Sequence, residues 1–133
     1  MSEKSGFEAI PIGMEVGPKE LTLDVQTVKE RIGLVQWEVK ELMDTGLAPP
    51  GLTIVEHPRM KFAALPDLRS SIWAKSEHEF LKPMKIGSKI FIRGKVVEKY
   101  VKRGWKYVVC EYETIDEAGE VLLRSRETGT YIE

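Results

Sequence analysis

Proton chemistry in this chain centres on its two histidines and the carboxylates beside them. His57 directly follows Glu56, and His78 stands between Glu77 and Glu79. Imidazole takes up and releases a proton near neutral pH with little help, and a carboxylate can activate water or act as a nucleophile. Glu56 and His57 are therefore candidate catalytic residues; read blandly, they are a helix-end pair that reaches solvent. Asp44, just before Gly46, is a third candidate, against the plainer reading of a solvated residue at a helix end. His78 alternates with core positions on an expected strand and reads as a hydrogen-bonded structural imidazole. No two histidines have metal-ligand spacing, and Glu77, His78 and Glu79 would point to opposite sheet faces if extended, so no metal site is expected. Cys110 is the single cysteine and follows Val108 and Val109, which suits a small buried hydrophobe; one cysteine forms no intrachain disulfide.

These residues need elements to hold them. The segment around which the others arrange themselves runs from Leu47 to His57 and includes Pro49, Pro50 and Gly51. Two prolines suit the start of a helix, where the first N–H groups are unpaired anyway, and Pro58 is expected to limit its length. A helix from about Pro50 to His57 would be mostly apolar and needs cover on nearly every side. Period-two segments after Ile72 can supply it: Ile72 to Leu81, Lys89 to Lys102, Trp105 to Ile115 and Glu120 to Ile132, with Arg103 and Gly104 as a tight turn and Asp116 to Gly119 as another. The last three form an antiparallel meander. Ahead of them, Glu15 to Leu23 reads as a short edge strand broken by Gly17 and Pro18. Asp24 caps a helix carrying Val25, Val28, Ile32 and Val35, and a further helical turn or two spans Trp37 to Asp44. Arg59 to Leu68 reads as mixed. The expected class is α+β, a curved antiparallel sheet wrapped around one buried helix.

The chain has 133 residues, 42% hydrophobic and 31% charged, with a formal net charge of -1. That is the size of one domain, 1–133, with 1–12 as a loosely ordered lead-in. The composition is that of a soluble protein, and no global charge points to nucleic acid. Charged residues interrupt every apolar stretch, so neither a leader nor a membrane span is expected and the cytoplasm is the expected location. A lone sheet of this kind leaves edges bare, which favours an oligomer.

Ala48, Pro49, Pro50, then Glu79, Phe80, Leu81, Lys82, Pro83 with Ile86 and Gly87, then Lys102, Arg103, Gly104 and finally Asp116, Glu117, Ala118, Gly119, Glu120 follow one another in an order that resembles the MaoC-like hydroxyacyl-thioester dehydratases. The resemblance covers nearly everything from Met14 onward and is strongest to the N-terminal branch, similar to the dehydratase segment of type-one fatty acid synthases. It implies the hotdog fold, pairing of two hotdog units, and binding of acyl-CoA or acyl-carrier thioesters with no cofactor beyond the coenzyme A of the substrate. Catalytic members are also alike in an Asp followed five positions later by a His, just before the central helix. Here that segment, Leu34 to Gly46, holds no His, so the usual dyad is missing.

Under this resemblance, substrate-binding candidates follow. Gly51, with Leu52 after it, offers an early free amide and no side chain, so a thioester carbonyl can approach; alternatively Gly51 relieves crowding against the sheet. Lys102, Arg103 and Lys106 close a basic series, Lys82, Lys85, Lys89, Arg93, Lys95 and Lys99, in which Glu98 is the only acid. They can meet the phosphates of coenzyme A, with Trp105 stacking on its adenine; a solvated sheet face is the alternative. The expectation is an acyl-CoA-binding hotdog subunit, non-catalytic alone, paired with a second, catalytic hotdog chain in an (R)-specific hydratase or dehydratase, with a homodimer as the other partner arrangement. A self-sufficient hydratase, a thioesterase using Glu56, and a non-enzymatic acyl-CoA sensor or scaffold are the alternatives.

Overall fold

In the computed structural model, which describes residues 6–34, 46–48, 52–54, 56–65 and 68–132, the period-two segments pair as a five-stranded antiparallel sheet. Its strands are β1 (Glu15–Thr22), β3 (Trp73–Phe80), β5 (Lys89–Lys102), β6 (Trp105–Asp116) and β7 (Val121–Thr130), in the order β1-β5-β6-β7-β3. The meander of β5, β6 and β7 matches the sequence expectation, as does the edge position of β1. Leu47–Ala48 (β2) and Met84–Lys85 (β4) form a separate small ladder that the sequence pattern did not reveal.

The turns follow from their residues. Arg103 and Gly104 both have positive φ, at 52° and 81°, and a turn of that hand matches the right-handed twist of the strands it joins. Between β6 and β7, Asp116 Oδ1 accepts from the amides of Ala118 and Glu120, both at 2.9 Å, and holds the loop closed. Helix α1 (Val25–Leu34) starts as expected, with the Thr27 amide donating to Asp24 Oδ1 at 2.7 Å. That bond holds the Asp24 carboxyl below its ordinary range.

The central helix lies later than the prolines suggested. Leu52 to Ile54 make a turn, and α2 runs from Glu56 to Ala64 (Glu56–Ala64), straight through Pro58. Pro58 is the third residue of α2, where an N–H would have no intrahelical acceptor, so it starts the helix instead of ending it. The segment read as mixed is thus largely helical.

Apolar side chains fall into two clusters. One gathers Phe7, Ile10, Val16, Met60, Leu65, Ile92, Val96, Val108, Cys110, Tyr112 and Tyr131 under α2. The other gathers Leu23, Val28, Ala48, Leu52, Met84, Ile90, Leu122 and Leu123 beside α1. The buried residues Thr53, Glu56, His57, Thr114, Ser125 and Glu127 add polar groups to this interior. The expected helix from Trp37 to Asp44 lies outside the described residues, as do Asp44 and Gly51. Among the described residues no helix is long and apolar enough to cross a membrane.

Candidate functional site on the buried face of the central helix

Helix α2 buries Glu56, His57, Met60 and Lys61. Positions i, i+1, i+4 and i+5 share one face, and here three of the four are ionisable. Charged groups stay buried only when they are hydrogen-bonded or paired, so each one implies a partner in the sheet.

Glu56 has no exposed surface, and its carboxylate pairs with Lys19 of β1 and lies 3.7 Å from Arg59. The pair ties the edge strand β1 to the helix start. His57 is equally buried. Its Nδ1 lies 2.5 Å from Glu127 Oε2 on β7, and its ring stacks on Tyr112 of β6 with centroids 4.2 Å apart and planes 3° from parallel. Nε2 of His57 has no hydrogen-bond partner among the described residues. The bland reading of Glu56 and His57 as a helix end reaching solvent is therefore wrong: the helix begins at them, and its first turn faces the sheet.

Strand register explains who meets whom. Gly94, Tyr112, Ser125 and His78 form one row across β5, β6, β7 and β3; Val96, Cys110, Glu127 and Ser76 form the next. Gly94 leaves room for the Tyr112 ring, since a Cβ there would meet Tyr112 Cδ1 at 2.5 Å. Burial pushes the Tyr112 hydroxyl well above its ordinary value and raises the Cys110 thiol, so neither ionises readily. Cys110 is the buried hydrophobe its neighbours suggested. His78 is half-buried and its Nδ1 lies 2.7 Å from Ser125 Oγ, in line with a structural role.

Lys61 projects toward β7, where its Nζ donates to Ser71 Oγ at 3.3 Å. Burial holds its ammonium below the ordinary lysine range, opposed by the charge of Glu127. A cavity of about 70 Å3 adjoins it, lined by Lys61, Glu127 and Ser71 together with Phe62, Trp73 and Gly129. Lys61, Glu127, Tyr112 and Ser71 were not singled out by sequence reasoning. The inward parity of Glu127 on β7, shared with Leu123 and Ser125, is the signal that could have found it.

Among the described residues three of the nine members of the basic series meet an acid. Arg93 pairs with Glu113, Lys89 with Glu20 and Lys82 with Glu120, and Arg126 bridges Glu98 and Glu111. Lys99 donates to the carbonyls of Phe7 and Glu8. Lys102, Arg103 and Trp105 are exposed at the β5–β6 turn, and Lys106 Nζ lies 5.8 Å from the centre of the Phe7 ring. Leu52 packs with Ile90 at the other end of β5. About 40 Å of strand separates that end from Lys102 at roughly 3.3 Å per residue. The structure does not bring Leu52 and the turn residues together within one chain.

This arrangement of strands and helices aligns with solved structures. An R-hydratase of Pseudomonas aeruginosa aligns over 96% of this chain and 86% of its own, at 14% identity and a TM-score of 0.76. A hot-dog-like protein of Thermanaerovibrio acidaminovorans aligns over 95% and 86%, at 15% identity and a TM-score of 0.67. The chain has the hotdog fold. The HadBC (3R-hydroxyacyl-ACP dehydratase) complex of Mycobacterium tuberculosis also aligns, over 90% of this chain and 96% of that one, at 17% identity and a TM-score of 0.72. No protein-family model matches the sequence, and no curated protein matches it.

Proposed function

We propose that this chain is an acyl-thioester-binding hotdog subunit of the hydratase or dehydratase type, which acts when paired with a second hotdog chain. The observation that carries the reading is strand β3. Among the described residues it pairs with β7 on one side only, and its inward end residues stay uncovered: Trp73 is 45% exposed and Phe80 53%. Ile72 and Leu81 beside its ends are exposed as well. The opposite edge, β1, is protected by Pro18 and a register shift between Val16 and Lys19. An open edge with exposed apolar side chains at both ends favours a second chain there, although Lys75, Glu77 and Glu79 make its middle charged; the HadBC complex offers a parallel of the same fold.

Catalysis by this chain alone is disfavoured by where its histidines stand. His57 is sealed behind the sheet with Glu127, and His78 is tied to Ser125. Glu56, buried and paired with Lys19, is poorly placed to attack a thioester. In this reading the second chain supplies acid and base. Leu52 and the undescribed Gly51 would belong to the thioester end, while Lys102, Arg103, Trp105 and Lys106 would serve a phosphate end across the interface.

The test compares the purified chain, alone and with its co-purifying partner, for hydration of crotonyl-CoA and longer enoyl-CoA. Turnover only in the paired sample, at about 1 per second or faster, is the expected outcome. Equal turnover by the chain alone would overturn the reading.

A further inference from the structure

Lys61 is only 9% exposed, and an ammonium has three N–H donors. Among the described residues one hydrogen bond is found for it, to Ser71 Oγ, and no carboxylate lies within ion-pair distance. Glu127, a carboxylate whose charge acts on it, has its Oε2 engaged by His57. A cation out of water is costly unless its charge and donors are met. A Cβ on Gly129 would meet Lys61 Nζ at 2.5 Å and Ser71 Oγ at 2.7 Å, so the lack of a side chain there lets the ammonium rest close against β7. The cavity of about 70 Å3 adjoins this group. Phe62 and Trp73 line it while remaining 43% and 45% exposed, which places them at its mouth.

We propose that this cavity is a binding site for a short-chain monocarboxylate, with the carboxylate on Lys61 Nζ and Ser71 Oγ and the alkyl end between Phe62 and Trp73. A water molecule's share of liquid volume is about 30 Å3, so the cavity holds a carboxylate head and leaves a short tail directed to the mouth. The free donors and charge of Lys61 call for an anionic acceptor, and the aromatic mouth calls for apolar carbon behind it. Glu127 opposes the ligand's charge and sets a limit on affinity. The site recognises a charge that a thioester carbonyl lacks, and because its mouth at Trp73 lies on the β3 edge offered to the second chain, the unpaired chain is the form that presents it.

Calorimetry on the full chain, with sodium butyrate and its neutral analogue butyramide, tests this. Butyrate should bind, and butyramide about tenfold more weakly or worse. Lys61→Met should cost butyrate about tenfold or more, while Glu127→Gln, which keeps an acceptor for His57 but removes the opposing charge, should tighten it. No butyrate binding, or equal binding of butyrate and butyramide by the wild-type chain, would overturn the site. Unchanged butyrate affinity in Lys61→Met would do the same. None of these outcomes depends on enoyl-CoA turnover.

Discussion

His57 on α2 and Glu127 on β7 stand 70 positions apart in the chain, yet their Nδ1 and Oε2 atoms lie 2.5 Å apart in the interior. The contact fixes the orientation of the helix start over the sheet, and the parallel stack of His57 on Tyr112 holds the ring from its face. Removing one partner leaves the other buried with its hydrogen bond unmade. Glu127→Ala should therefore destabilise the chain by about 2–3 kcal/mol in urea unfolding. The pair His57→Phe with Glu127→Leu, which makes both positions apolar, should lose less than the sum of its single changes. Simple additivity would show that the two residues do not act as a unit.

Gly94 and Tyr112 make a second prediction. Gly94→Ala places a methyl 2.5 Å from Tyr112 Cδ1 and 3.1 Å from the Glu111 carbonyl oxygen. Overpacking of this kind should cost about 1–3 kcal/mol, read as a lower thermal midpoint. In a Tyr112→Leu background, where the ring is gone, the added cost of Gly94→Ala should be smaller.

Lys61 predicts a pH dependence with a definite sign. Its folded value is lowered by burial, so the unfolded chain binds more protons in the window between the folded and the ordinary lysine values. Stability contributed by this group must rise with pH across that window. Lys61→Met should be more stable than wild type at neutral pH, and its advantage should shrink as pH climbs toward the ordinary lysine value. Denaturant midpoints across that range check it; an advantage that grew with pH would reverse the sign.

Strand β3 predicts separable effects on association and stability. Trp73 and Phe80 are exposed, so Trp73→Glu with Phe80→Lys should change the stability of the chain by no more than about 0.5 kcal/mol per site. The same changes should abolish association with a second hotdog chain, seen as a shift to the monomer in sedimentation. Retained association would move the interface elsewhere.

Local chemistry made much of this architecture readable in the residues alone. Alternation marked β5 from Lys89 to about Lys102, Asp24 announced α1, and Arg103 with Gly104 announced the β5–β6 turn. Each of these depends on neighbours within a few positions, where side-chain period, capping and φ preference act directly. Pro58 misled because proline permits the first turn of a helix and forbids its interior, and the sequence does not say which of these a position will be. The burial of Glu56, His57, Lys61 and Glu127 escaped for a different reason. A charged side chain reads as exposed until a partner is known, and their partners come from strands tens of residues away: Lys19 for Glu56, Glu127 for His57, Ser71 and the space above Gly129 for Lys61. Burial of those groups was decided by strand register and helix placement, because only tertiary structure supplies the hydrogen bonds that replace water around a charge.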